Sequence, residues 1–342
     1  MLYIIPVLVS FVVSLIFLKP TMKFLFRAGI RGIDQQKPKK PELPTSTGII
    51  VMASFLAGVF SFIGLNTFLF KTTIDLTSLL AAAFSVIIVA FIGFLDDVNV
   101  SRSPKTDKGI QDIRIGLKQW QKPLLTFPAA VPLMAVAAGV SVIQIPVLGT
   151  INFGIFFPLI IVPLAVVFVT NASNMLAGMN GLETGLGIIT SFFIGLYSLF
   201  AGSPEGFLIS FSVLGGFLAL IFFNWYPAKI LPGDSLTYLS GAVLVSVVII
   251  ADIQKFGLIL FLPWILEFVL KLRSKFKARS LGVLQVDGTL KSSYKKIYSL
   301  THLCMRLGIR GERNITITIL TAELVLALST FVFYVFVVGK PI

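Results

Sequence analysis

LTSLLAAAFSVIIVAFIGFLDD, residues 76–97, runs through twenty uncharged and mostly apolar residues and then ends on two adjacent aspartates. Twenty such residues in a helix span a hydrocarbon core about 30 Å thick. The helix therefore carries Asp96 and Asp97 to a membrane surface, where paired carboxylates can meet a cation or a charged substrate.

The same apolar pattern recurs along the chain. Stretches bounded by Pro, Gly and clustered charge predict spans near 2–18, 48–69, 76–95, 124–141, 153–170, 184–201, 207–223, 235–251, 255–272 and 315–338. Composition agrees: 56% of the 342 residues are hydrophobic, 13% are charged and the mean hydropathy is +0.96, whereas soluble domains carry roughly 25% charged residues. The expected fold is an all-α polytopic membrane protein of about ten transmembrane helices, with residues 1–342 forming a single domain. The first span lacks a basic flank and a small-residue cleavage site, so it reads as a retained helix. Residues 141–154, SVIQIPVLGTINFG, alternate β-branched residues around Pro and Gly and read as a small β-hairpin on the outer side. A single cysteine, Cys304, excludes an internal disulfide framework.

Charge sets the orientation. Of 28 basic residues, 25 fall in the loops after the odd-numbered spans, leaving only Lys71, Lys255 and Lys340 on the other side. The positive-inside rule places those loops, and the active-site loops among them, in the cytoplasm. The net charge of +13 is then topology with an attraction for anionic lipid, and no nucleic-acid partner is implied.

Polar residues gather at this same face. Asp96 and Asp97 end the third span, Asn171 and Asn174 end the fifth, and Asp234 precedes the eighth. Any one of them alone reads equally well as a helix cap. Together they read better as hard oxygen ligands for Mg²⁺ or Mn²⁺, because adjacent carboxylates repel unless a cation neutralises them. Gly178, Gly181 and Gly185 allow a backbone to approach a flat ligand closely. The run Lys271, Arg273, Lys275, Lys277 and Arg279 can clamp a diphosphate, although loop charge of this kind is mostly topological. Tyr294, Ile297, Tyr298, Thr301 and Met305 predict an interfacial helix, with His302 at its surface. Glu267 and Glu323 fall inside spans without an evident partner. A transporter would place charge near the midplane and show repeated halves; neither pattern is visible in the sequence.

The segments GIDQQKPKKPELPTSTGI (32–49), GFLDDV (93–98), WQKPLL (120–125), TNASNMLAGMNGLETG (170–185), FNWYPAKILPGDS (223–235) and RGERNITI (310–317) resemble the polyprenyl-phosphate N-acetylhexosamine-1-phosphate transferase superfamily. The likeness is greatest to its eukaryotic and archaeal branch, the UDP-GlcNAc:dolichyl-phosphate GlcNAc-1-phosphate transferases. It implies transfer of GlcNAc-1-phosphate from UDP-GlcNAc to a polyprenyl or dolichyl phosphate, starting lipid-linked oligosaccharide synthesis for protein glycosylation. It implies Mg²⁺ on Asn174 and Asp234, an acidic pair at Asp96 and Asp97, and an active-site lysine at Lys122. Leu176, Gly178, Asn180 and Gly181 would hold the uracil, Asp34 is the acidic residue of the first cytoplasmic loop, and Lys277 and Arg279 would contact the diphosphate and the N-acetyl sugar. The expected setting is among membrane lipids, in the plasma membrane if the chain is archaeal, with a homodimer compatible.

There are departures from the pattern. Lys277 stands where the branch has arginine, Ala278 separates the pair in place of histidine, and Ser101 to Gln119 is longer than the pattern requires. RGERN replaces the His-rich motif of the bacterial branches, which disfavours the alternative of an undecaprenyl-phosphate transferase using another UDP-N-acetylhexosamine.

Overall fold

The computed structural model describes residues 2–98, 105–107, 110–112, 116–145 and 149–339. Among them the helices are α1 (Ile5–Arg27), α2 (Gly48–Leu65), α3 (Leu76–Val98), α4 (Gln121–Thr126), α5 (Val131–Ala135), α6 (Val162–Ser173), α7 (Leu182–Phe200), α8 (Pro204–Asn224), α9 (Asp234–Ile250), α10 (Gln254–Leu260), α11 (Leu262–Leu272), α12 (Leu300–Arg306) and α13 (Glu312–Phe333). Four two-stranded antiparallel ribbons decorate the bundle: β1 (Arg31–Ile33) with β2 (Glu42–Pro44), β3 (Lys105–Asp107) with β4 (Ile110–Asp112), β5 (Val142–Ile145) with β6 (Gly149–Asn152), and β7 (Gly282–Leu284) with β8 (Leu290–Ser292).

Among the described residues six helical stretches are long and apolar enough to cross a membrane: Ile5–Arg27, Gly48–Phe70, Leu76–Val98, Leu182–Phe200, Pro204–Asn224 and Glu312–Val338. Phe157–Ser173 and Asp234–Ile250 are shorter apolar helices. Two expected continuous spans are broken, and proline explains both. Pro123, Pro128 and Pro132 divide 124–141 into α4, a tight turn over Phe127–Ala130, and α5. Pro263 is the second residue of α11, which a single residue, Phe261, separates from α10. A ring at each of these positions removes an amide donor and clashes with the preceding turn. The expected interfacial helix starts only at Leu300.

α9 is the axis of the bundle. Thirteen of its 17 residues are buried, and α3, α6, α8 and α7 pack around it; a helix apolar on all sides belongs in such a place. Its N-terminus is gripped by small residues. A Cβ on Gly48 of α2 would lie 2.2 Å from the Ser235 carbonyl carbon, and one on Gly93 of α3 would lie 2.6 Å from the Asp234 carbonyl oxygen. Only glycine lets α2 and α3 press directly on the first turn of α9.

Polar ties at the opposite end of α9 fix the connecting loops. Asp252, just past that helix, accepts the Val140 amide at 2.6 Å next to the β5–β6 hairpin. Glu205, in the first turn of α8, accepts the Asp75 amide at 2.7 Å and so ties that helix to the loop before α3. The outer surface is strongly apolar, with Phe68, Phe222 and Phe336 among many exposed rings, as a surface bathed in lipid requires. Arg102, Lys108, Arg114 and Lys340 lie outside the described residues.

Candidate active site

The site begins with α3. Asp97 turns both carboxylate oxygens to the start of α9, accepting the amides of Asp234 at 2.8 Å and Ser235 at 3.0 Å. Gly233, at φ +77, makes the turn into α9, and a Cβ there would come within 2.4 Å of Asp97 Oδ2. Asp97 therefore acts as an N-terminal anion supplied from another helix. The helix that receives it presents Asp234 at its first position.

Asp96, beside it, faces the other way. Its Oδ1 accepts the Leu117 amide, and its Oδ2 lies 2.5 Å from Lys122 Nζ. Lys122, on α4, also lies 3.0 Å from Asp234 Oδ2, so one ammonium bridges two carboxylates. Burial disfavours the charge on Lys122, but Asp234 and Asp96 outweigh it and hold the ammonium well above its ordinary range.

The loop after α6 supplies the next wall. Asn174 accepts the Thr237 hydroxyl at 2.9 Å, and Asn171 donates to Thr126 at 2.9 Å. Asn180 is held on three sides: its side-chain amide donates to Asp34 at 3.0 Å, its backbone amide donates to Glu312 at 2.6 Å, and its carbonyl accepts from Thr316 at 3.3 Å. The Asp34 carboxylate fixes which way the Asn180 amide points, leaving Oδ1 as an acceptor. Lys37 pairs with both Asp34 and Glu312. Gly178, at φ +105, donates to Glu183 at 2.6 Å, while its carbonyl accepts from Gln36 at 2.9 Å.

These residues enclose a two-part cleft. The smaller part, about 220 Å³, is lined by Asp34, Asn174, Gly178, Asn180, Glu183 and Asp234. The larger, about 600 Å³, is lined by Lys122, Asn171, Asn174, Asp234, Lys277 and Arg279. Asn174, Gly178 and Asp234 belong to both walls and join the two parts. Four of the residues singled out by sequence lie behind the lining: Leu176 is buried, Gly181 packs on the Trp225 ring, Asp97 caps α9 and Asp96 braces Lys122.

Sequence reasoning missed the supporting residues Gln36, Lys37, Glu183, Glu267 and Glu312. Lys37 and Glu312 fall within the quoted segments but lie 275 positions apart, and no local pattern announces such a pair. His302 is fully buried against Tyr294, with ring centroids 5.5 Å apart, and not on the surface. Burial and the nearby Lys271 charge push its imidazole down to about 4. Its unfolded value is near 6.5, so the folded chain binds fewer protons and stability falls as pH drops through the interval between the two values. His302→Gln should flatten that fall, by up to about 1.4 kcal/mol per pH unit. Thermal midpoints at pH 7 and pH 5 that drop equally in parent and variant would refute this.

Residues 79–252 match glycosyl transferase family 4. A protein of Saccharolobus solfataricus, assigned the name UDP-N-acetylglucosamine–dolichyl-phosphate N-acetylglucosaminephosphotransferase, is 35% identical over 325 residues, 94% of each chain. The chain belongs to glycosyl transferase family 4. The Dictyostelium discoideum enzyme of the same name is 29% identical over 281 residues, covering 71% of this chain and 65% of its own. The phospho-N-acetylmuramoyl-pentapeptide-transferase of Clostridium perfringens is 28% identical over 281 residues, 79% of this chain and 78% of its own. The match to family 4 starts at the fourth residue of α3 and ends just past α9, so it encloses Asp96, Asp97, Lys122, Asn174, Asn180 and Asp234. Asp34, Lys277 and Arg279 lie outside it.

Proposed function

We infer that the chain transfers GlcNAc-1-phosphate from UDP-GlcNAc to a polyprenyl phosphate of the dolichyl type and releases UMP, starting a lipid-linked oligosaccharide for protein glycosylation. The carrying observation is that a nucleoside-sized recess, an acidic and amide wall, and four cations, Lys122, Lys271, Lys277 and Arg279, adjoin in one cleft of a membrane bundle. The names of the relatives supply the sugar and the lipid.

In this reading Asn180 Oδ1 accepts the uracil imide N–H, with Asp34 and Glu312 holding the amide in place. The diphosphate lies towards Lys122, Lys277 and Arg279, which neutralise the charge that builds as a lipid phosphate oxygen attacks the β-phosphorus. No strong base is required, since the phosphate is already largely ionised at neutral pH. The donor set suits Mg²⁺ or Mn²⁺. Among the described residues no three His, Cys, Asp or Glu side chains cluster as a metal cage, and Mg²⁺ is usually held by one or two carboxylates with substrate phosphates. Asp234 and Asn174 would hold it, and the bound ion would supply Lewis-acid neutralisation of the diphosphate.

A third, apolar cavity of about 310 Å³ is lined by Phe168, Val169, Leu244, Val248 and Phe261. Its walls include α6 and α9, the helices that carry Asn171, Asp234 and Tyr238, together with α10 and Phe261, which suits a prenyl chain running from the cleft into the bilayer. The positive-inside distribution supports a cytoplasmic cleft, facing a soluble nucleotide-sugar supply.

The test uses UDP-GlcNAc labelled in its β-phosphate, a polyprenyl phosphate and Mg²⁺. The label is expected in the lipid, with UMP as the nucleotide product and no transfer in chelator. Formation of UDP, or full activity in chelator, overturns the reading. Lys277→Ala and Arg279→Ala should each raise KM for UDP-GlcNAc about tenfold, as loss of a charge-assisted contact does, with KM for the lipid little changed. Equal effects on both substrates would place these side chains elsewhere.

A further inference from the structure

The reading above gives no task to Glu267 or Lys271, two charged residues one turn apart on α11. Glu267 is fully buried, Lys271 is nearly so, and Lys271 Nζ lies 3.7 Å from Glu267 Oε1. Two such charges beside a bilayer are costly to desolvate, and an apolar pair of similar volume is often as stable or more so. What they hold gives the reason for them.

Lys271 Nζ donates to the Ala278 carbonyl at 2.8 Å. Glu267 Oε1 lies 3.2 Å from the Ser280 hydroxyl, which also reaches the Met175 carbonyl, next to Asn174, at 3.1 Å. Glu267 Oε2 accepts the Ser299 hydroxyl at 3.1 Å and the Leu300 amide at 2.8 Å, and Thr301 donates back to the Ser280 carbonyl. The segment is thus gripped at 278 and 280, both buried. The residues between and before them, Arg279 and Lys277, are more exposed and line the cleft, at whose edge Lys271, Ala278 and Ser280 also stand. In the preceding turn Lys275 and Phe276 both sit in the left-handed region, at φ +53 and +59, a strained conformation that persists only where its surroundings hold it.

We propose that Glu267 and Lys271 are positioning residues for the nucleotide-sugar: as a buried pair they fix the 277–280 segment so that Lys277 and Arg279 face the diphosphate. This rests on the reading that the cleft takes a UDP-sugar. It makes the α11 pair, and not the cations alone, a determinant of donor affinity.

The experiment uses the full-length protein in lipid nanodiscs with Glu267→Gln, Lys271→Met and the milder Ser280→Ala. For the first two, KM for UDP-GlcNAc should rise about tenfold while KM for polyprenyl phosphate stays within about twofold of the parent. Trypsin should cut after Lys277 and Arg279 about tenfold faster in both, followed site by site by mass spectrometry. Should either variant fail to fold, Ser280→Ala decides, with both effects expected at about threefold. An unchanged KM for UDP-GlcNAc, an equal rise for both substrates, or cleavage no faster than in the parent overturns the proposal. Failure of the functional reading looks different: the parent itself makes no lipid-linked product.

Discussion

Asp234→Asn is expected to lower transfer about a thousandfold while moving the thermal midpoint by no more than about 1 °C. The substitution keeps the shape and one acceptor, and the side chain is 31% exposed, so little folding energy depends on its charge. The reaction depends on it heavily, because Asp234 stands in both walls of the cleft. Asp97→Asn should behave in another way. Both oxygens of Asp97 receive amides of α9, and an asparagine offers one acceptor and turns a donor towards the second amide. The cost is about 1–2 kcal/mol of helix capping, read as a midpoint lowered by a few degrees, with activity lost through a displaced Asp234. Parallel transfer assays and thermal scans separate the two. Half-normal turnover in Asp234→Asn, or an unshifted midpoint in Asp97→Asn, would contradict this division of labour.

Lys122→Gln is the second large effect and should show in both assays. The ammonium sits between Asp96 and Asp234, with side-chain exposures of 15% for the lysine and 2% for Asp96. Its removal leaves a buried carboxylate uncompensated, which costs about 3 kcal/mol, the low end for a buried pair because Asp234 is partly wet. Transfer should fall about a thousandfold, since the proposed reaction has the same cation neutralise the diphosphate. Adding Asp96→Asn to Lys122→Gln should restore most of the thermal midpoint and none of the activity. A double variant no more stable than Lys122→Gln would show that the pair does not carry the stability assigned to it.

Much of this was legible from the chain alone, because membrane crossing and surface charge are written locally. The end of α3 in two aspartates, the Asn-rich loop and the sequence before Asp234 each announce themselves within a dozen residues. What the sequence could not convey was the direction of each side chain. Asp96 and Asp97 are neighbours, yet one braces Lys122 and the other caps α9, and that split depends on how α3 meets α9. The proline-divided stretches 124–141 and 255–272 looked continuous because hydropathy is blind to a missing amide. Glu267 has Lys271 one turn away, a pair that sequence spacing alone could have suggested, but its hydrogen-bond partners Ser280, Ser299 and Leu300 lie 13 to 33 residues away; His302 looked exposed because the turn that covers it has no local signature.

The alternation along 277–280 bears on how such an enzyme diversifies. Residues 278 and 280 are buried at the edge of the cleft and held to small side chains by their burial, while 277 and 279 are more exposed and line the cleft. Mutations at the two more exposed positions can retune which nucleotide-sugar is preferred at less cost to the fold than those at the buried positions, which are purged through misfolding. Divergence in donor choice should therefore accumulate at 277 and 279, with 278 and 280 remaining small, and the lysine already present at 277 stands at one of the two sites where selection is free to act.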